Sequence, residues 1–227
     1  LSLALLVICA GASRAGAVEQ VAGYRGIWFT LSEFSQHGDK YSGGLGTYTA
    51  NHIPMAVYAP QVNKTFFVYG GTTARSPEDK QELLHMVSYY DHKTGRVPRP
   101  RILLNKQTND AHENPTLQVD DHGHLWIFSS SHGTSRPSYI HRSAKPWSID
   151  EFERVLVTNF SYTQPWHVPG RGFLFLHTRY GGAGLGVKAA RCLGWMTSAD
   201  GRVLAEDSLR GFLDDWKRVP PSRLFER

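Results

Sequence analysis

Beyond about residue 50 the chain alternates short apolar runs with polar turns, and three of its segments look alike. They are HIPMAVYAPQVNKTFFVYGGT, ENPTLQVDDHGHLWIFSSSHG and YTQPWHVPGRGFLFLHTRYGG. Each has a proline (Pro54, Pro115, Pro165), a short strand-like run, a polar turn and a second apolar run. Runs this short, rich in β-branched and aromatic residues and bounded by turn formers, predict strands rather than helices. The three prolines are 61 and 50 residues apart. Further strand pairs fill the gaps: LLHMVSYYDHKTGRV before the second hairpin, PSYIHRSAKPWSIDEFERV before the third, and LGWMTSADGRVLAE after it.

Four strands repeating every 40–60 residues or so is the pattern of β-propeller blades. Each blade is a small sheet that must stack on its neighbours to bury both faces. A β-sandwich is the rival architecture, but it predicts no such self-similarity. The expected fold is therefore all-β. Blade one covers about 48–106, blade two 107–158 and blade three 159–208. The stretch AGYRGIWFTLSE at 22–33 supplies an additional strand before them. That amounts to a partial propeller of about three to four blades. Residues 110–132 should form two adjacent strands joined at Asp121–His124, with no helix within 113–130.

Composition agrees with many turns. The 227 residues include 22 glycines and 12 prolines, with 41% hydrophobic and 12% aromatic side chains to fill a core. The opening LSLALLVICAGASRAGA ends on the small-residue site Ala15-Gly16-Ala17 and reads as a secretory signal over 1–17. It lacks the usual Met and basic start, so the chain is expected to be clipped there. The propeller domain then spans 18–208, and 209–227 forms an unassigned tail with a short helix ending at Pro220. Only Cys192 remains after the signal, so no intrachain disulfide framework is expected. The protein is read as secreted or periplasmic. No other segment is apolar enough to cross a bilayer as a helix, so no membrane partner is expected. Loss of Arg14 with the signal takes the net charge from +5 to +4. For a basic exported protein, an anionic polysaccharide is a better partner than nucleic acid. The pattern carries no signal for an oligomeric state.

Histidines mark where chemistry could occur. His122 and His124 fall in a hairpin turn, whereas His112 and His132 sit at the open end of the same hairpin. In a propeller, the starts of first strands and the ends of second strands share one mouth. By that register His112, His132, Tyr162, His177 and Arg179 gather in one cavity.

These segments resemble a known family. DAHENPTLQVDDHGHLWIF, SHGTSRPSYIHRSAKPWSIDEF and NFSYTQPWHVPGRGFLFLHTRY look like the BNR-repeat proteins that include the propeller ulvan lyases, polysaccharide lyase families 24 and 25. The likeness covers roughly 20–205 and implies a seven-bladed propeller, with later blades missing from this chain. It also implies that His112, His132, Tyr162 and Arg179 match the family's active-site histidines, tyrosine and arginine. Asn114, Arg136, Trp166 and His177 are then candidates for gripping substrate, Trp166 by stacking on a sugar ring.

The residue types suit a uronate lyase. Such an enzyme removes the proton beside a carboxylate and expels the 4-linked sugar. Arg179 would neutralise the carboxylate with two parallel hydrogen bonds. Tyr162 would act as base and then acid, helped by a neighbouring cation that lowers its pKa. His112 would be a second base or a carboxylate partner, and His132 would orient or polarise.

Two rival functions stay open: a sialidase-like glycoside hydrolase using Asp110 and Glu113, and a non-catalytic glycan-binding propeller. No cofactor is expected. A metal held by Asp120, Asp121, His122 and His124 is an open alternative. SADGR at 198–202 reads as a truncated Asp-box turn, and RVPRPR at 96–101 as a solvated basic loop. Trp126, Trp147, Trp166 and Trp195 are expected in the core between blades.

Overall fold

A computed structural model describes residues 52–73, 80, 82–180, 189–196 and 204–205. The expected signal segment, the 22–33 strand, the 198–202 turn and the 209–227 tail lie outside the described residues. The described part is all-β, built of three four-stranded antiparallel sheets. Sheet one holds β1 (Ala56–Ala59), β2 (Lys64–Thr72), β3 (Leu83–Asp91) and β4 (Arg101–Asn105). Sheet two holds β5 (Pro115–Val119), β6 (Leu125–Ser129), β7 (Ser138–Ser143) and β8 (Phe152–Thr158). Sheet three holds β9 (Ser161–Val168), β10 (Gly172–Tyr180), β11 (Ala189–Met196) and β12 (Leu204–Ala205). Strands neighbour one another in chain order within every sheet. These are propeller blades, each one a meander of four strands.

Strand β6 shows why the blades must stack. All five of its residues are buried. Leu125 and Ile127 face blade one, joining Phe66, Val68 and Val87 along with Leu117, Val119 and Ile149. Trp126 and Phe128 point the other way, toward Phe160 and Phe173 of blade three. Alternate side chains of a strand emerge on opposite faces, so one strand serves two interblade cores. Each fully buried large side chain contributes about 1.5–3 kcal/mol.

The inner strands are also zipped by polar contacts. Leu117 N–H donates to Pro54 O at 2.9 Å. Thr116 Oγ1 and Ser130 Oγ each lie 3.0 Å from Thr163 Oγ1. Gln118 Nε2 donates to Pro165 O at 2.9 Å.

The hairpin over 110–132 forms as expected from β5 and β6, paired from Pro115↔Ser129 to Val119↔Leu125. One correction concerns its start: a single 3-10 turn occupies Ala111–Glu113 and so touches the first residue of the stretch expected to be helix-free. Its cause is Asp110, whose carboxylate accepts from His112 N–H at 2.9 Å and winds one turn ahead of Pro115.

The other end of the hairpin is fixed by Asp120. Its Oδ1 accepts from the N–H groups of His122 and His124, both at 2.9 Å, and its Oδ2 accepts from Trp126 Nε1 at 2.8 Å. His124 Nδ1 donates to Ser143 O at 2.8 Å, and Asp121 Oδ2 accepts from Gly170 N–H at 2.6 Å. Asp120 and the His124 Nδ1 are thus engaged in folding the turn, and among the described residues the four turn residues do not form a group of metal-type donors within reach of one another.

The tryptophans divide. Trp126 is core and Trp147 is partly buried against the first cluster. Trp166 is 41% exposed and so is not core, a second correction. The side chain of Trp195 lies outside what is described.

Candidate active site at the mouth of blades two and three

The site grows from the loop before β5. Thr108 Oγ1 accepts from Asp110 N–H at 3.1 Å, and the 3-10 turn that follows brings His112 back over Asp110. His112 Nδ1 lies 2.5 Å from Asp110 Oδ1. His132, delivered by the end of β6, places its Nδ1 2.6 Å from Asp110 Oδ2. An ionised carboxylate can only accept, so both Nδ1 atoms donate. With Nδ1 donating, the neutral form of either ring carries its lone pair on Nε2. The two imidazoles stack with centroids 4.4 Å apart and planes 25° from parallel.

Burial would raise the Asp110 pKa. Hydrogen bonds from the His112 ring, the His112 backbone and the His132 ring outweigh it and hold the carboxyl well below the usual range.

Beneath this triad lies a second buried carboxylate. Glu113 Oε1 accepts from Arg136 Nε at 2.8 Å, Arg136 Nη2 at 2.6 Å and His132 N–H at 3.2 Å. Glu113 Oε2 faces Lys106 Nζ at 3.1 Å. Lys106 also donates to Pro137 O at 2.8 Å. Burial pulls the Lys106 pKa down, and Glu113 opposes it. Glu113 thus clamps the loop carrying His112 to the loop carrying His132. From blade one, His85 Nε2 donates to Glu113 O at 2.7 Å, and Ser129 Oγ lies 2.9 Å from its Nδ1. His52 Nε2 donates to His112 O at 2.8 Å.

Tyr162, the second residue of β9, stands over these groups. Its ring centroid is 5.6 Å from His52, 5.9 Å from His112 and 5.7 Å from His132. Its backbone is left-handed, with φ of 52°. A tyrosine held there stores about 1–3 kcal/mol of strain, which the surrounding packing must sustain. Tyr180, at the end of β10, meets His132 edge-on at 5.8 Å.

The expected site residues therefore fall into four groups. His112, His132 and Tyr162 come together. Arg179 lies at the same mouth by register, because its neighbour Thr178 pairs with Ser161 beside Tyr162. Asn114 is fully buried behind the 3-10 turn, His177 is buried 6.3 Å from Phe160, and Arg136 is occupied by Glu113. Trp166 lies four residues along β9 from Tyr162, roughly 13 Å toward the other end of the blade.

Sequence reading missed Asp110 as the hub, knowing it only as a hydrolase carboxylate. The Asp-x-His spacing, an Asx turn in waiting, was its available signal. His52, Tyr180 and the Glu113 clamp have no local signature. Among the described residues, Asp110, His112 and His132 are also the one group of three metal-type donors, all within 4.8 Å of one another.

Comparison with known proteins bears on this geometry. The sequence profile of the family described as "BNR repeat-containing family member" matches residues 74–192, just over half of the chain. No curated protein matches the chain. Among solved structures, one titled as a new family of polysaccharide lyase, PL25 ulvan lyase, is 17% identical with a TM-score of 0.56. The match covers 72% of this chain and 38% of that one. A second, the ulvan lyase bound to -[GlcA(1-4)Rha3S]-, is 16% identical with a TM-score of 0.55, over 78% of this chain and 40% of that one. The chain thus spans about two fifths of the length of these structures, and the likeness establishes the fold.

Proposed function

The chain belongs to the BNR repeat-containing family, and from that premise we propose that its blade-two mouth cleaves a uronate-containing anionic polysaccharide by β-elimination. The observation that carries this reading is the convergence of Tyr162, in a strained backbone, on two imidazoles whose Nδ1 atoms are both committed to Asp110. The polysaccharide bound to a structure of the same fold supports the ligand class.

In this reaction the bond from C5 to hydrogen breaks, a C4–C5 double bond forms, and the C4–O bond to the leaving sugar breaks. A proton leaves C5 for a base, and the departing oxygen is protonated by the group that took it up. Tyr162 serves as base and then acid, in its ionised form first. An imidazole Nε2 of His112 or His132 takes up the phenol proton beforehand and supplies charge near the uronate afterwards. Arg179 neutralises the uronate carboxylate, without which the carbanion at C5 is too costly.

The hydrolase reading is weakened by the same geometry. Asp110 is bonded to two histidines, and Glu113 is buried between Lys106 and Arg136. Neither is placed as one of a facing pair of carboxylates across a sugar. We also place the protein outside the cytoplasm, where such polymers occur, and an exported form beginning after Ala17 is the expected product on mass spectrometry.

The test is to mix the protein with a glucuronate–rhamnose-3-sulfate polymer. The expected result is a growing ultraviolet absorbance from unsaturated uronate ends. Reducing ends without that absorbance mean hydrolysis, and binding without either product means a binding propeller. In an active protein Tyr162→Phe should lower kcat about 10²–10⁴-fold with little change in binding. Arg179→Ala should impair binding and rate together.

A further inference from the structure

The basic loop at 96–101 does not run free over the surface. It lines a cleft of about 760 Å³ between blades one and two. The cleft lies at the end of the sheets opposite the histidines. Leu83, at the start of β3, donates its N–H to Thr108 O beside the site loop, whereas Tyr89, which lines the cleft, is six residues further along, roughly 20 Å away.

We propose that this cleft is a second, non-catalytic binding site for anionic polysaccharide, taking the sulfate or carboxylate of a sugar on its flanking cations. Lys64, Arg99 and Arg101 line it, against the single carboxylate of Asp150. Lys64 Nζ sits 4.0 Å over the Tyr89 ring. Trp147, also in the lining, stacks on Phe66, which in turn meets Tyr89 at 5.5 Å, so the three rings form one rigid row under the cations.

The walls are fixed before any ligand arrives, which lowers the ordering cost of binding. Trp147 is left-handed, with φ of 57°, and its N–H donates to Gly123 O at 2.7 Å. Pro98 and Pro100 restrict the loop, and Ser88 Oγ donates to Pro98 O at 3.1 Å. Arg101 Nη2 reaches across to Asp150 Oδ1 at 3.3 Å, and Ser148 holds the other Asp150 oxygen at 2.9 Å. Arg99 lies exposed at the lip. Spaced cations on a rigid wall recognise a sugar that carries oxyanions, with the guanidinium groups forking onto sulfate or carboxylate. The proposal rests on this cleft and not on the lyase reading, so binding alone tests it.

Isothermal titration of the full chain, in a Tyr162→Phe background that stops turnover, against three polymers is the experiment: the GlcA(1-4)Rha3S repeat, its desulfated form and neutral dextran. Arg99→Glu with Lys64→Glu should weaken binding of the sulfated polymer about tenfold, and raised salt should do the same to the unaltered chain. Arg171→Glu, an exposed charge reversal on a blade-three turn, should change it less than twofold. Binding of the desulfated polymer retained near the original affinity identifies the carboxylate as the contacted group; binding lost identifies the sulfate. Equal weakening by Arg171→Glu would show only mean charge at work and overturn the site. Dextran binding as tightly as the sulfated polymer would overturn it as well.

Discussion

Two imidazole rings on one carboxylate is a demanding arrangement at the level of single residues. Asp110 has two oxygens, and each is taken by one Nδ1. Asparagine in its place offers one acceptor and one donor, so one ring must turn over or lose its partner. Asp110→Asn should therefore lower kcat on the uronate polymer by about 10²–10⁴-fold and shift the pH–rate profile, since the rings lose the negative charge between them. A residue serving structure alone would change the urea midpoint and leave the profile of the folded enzyme where it was. The sequence displays the pieces of this site unevenly. His112 and His132 are visible because they flank a hairpin whose strands are plain from the apolar pattern. Asp110 as their hub is not, because its partners lie two and twenty-two residues away and only the closed hairpin unites them. Arg136 looks like a free cation in the Ser-Arg-Pro motif. Only burial reveals that Glu113 claims it.

Elements show a different balance between pattern and contact. Among the described residues the twelve strands follow from apolar runs and turn residues, and their three sheets fall inside 48–106, 107–158 and 159–208. What the pattern omits is how turns lock onto neighbouring loops. Gly123 is the clearest example. Its φ is 85°, and a Cβ added there would lie 2.3 Å from the Trp147 ring, in a loop twenty-four residues on. Gly123→Ala should thus destabilise by about 2 kcal/mol or more, read as a lower urea midpoint. The Glu113 clamp makes a second test between elements. Glu113→Gln leaves Lys106 buried without its counter-charge, and breaking a buried pair costs about 3–5 kcal/mol. Arg136, partly exposed, loses its partner at less expense. The variant should unfold at lower urea. If it folds, it should show faster hydrogen exchange over the 106–114 and 130–137 loops than elsewhere.

Across the whole molecule, the blades are held by apolar clusters and by buried polar groups that dislike protons, and these set how the fold responds to acid. The propeller itself is legible from the repeat, because each repeat makes one sheet and β6 buries both faces. The neutral histidines inside are not, since nothing local separates a buried histidine from a solvated one. His85 is fully buried where blade one meets blade two; burial first, and the Lys106 charge next, push its pKa well below the ordinary value. His141 is pushed down to about 4 by burial, then by Arg154 and Lys106. Both stay neutral when folded and take a proton when unfolded below about pH 6.5. The unfolded chain therefore binds more protons, and stability falls as pH falls through that window. The contribution is whole above the unfolded value and fades toward pH 4, where the folded His141 also protonates. For His141 alone the loss approaches about 3 kcal/mol. Asp110 adds a further loss only below about pH 4, where the unfolded carboxyl takes a proton and the folded one does not. Urea midpoints measured from pH 7.5 down to about 4.5 should fall steadily, with a slope near two protons between about pH 6 and 5. His141→Gln should remove about one proton from that slope. A midpoint that stays level across the window would mean that these two histidines are already protonated, or exposed, in the folded protein.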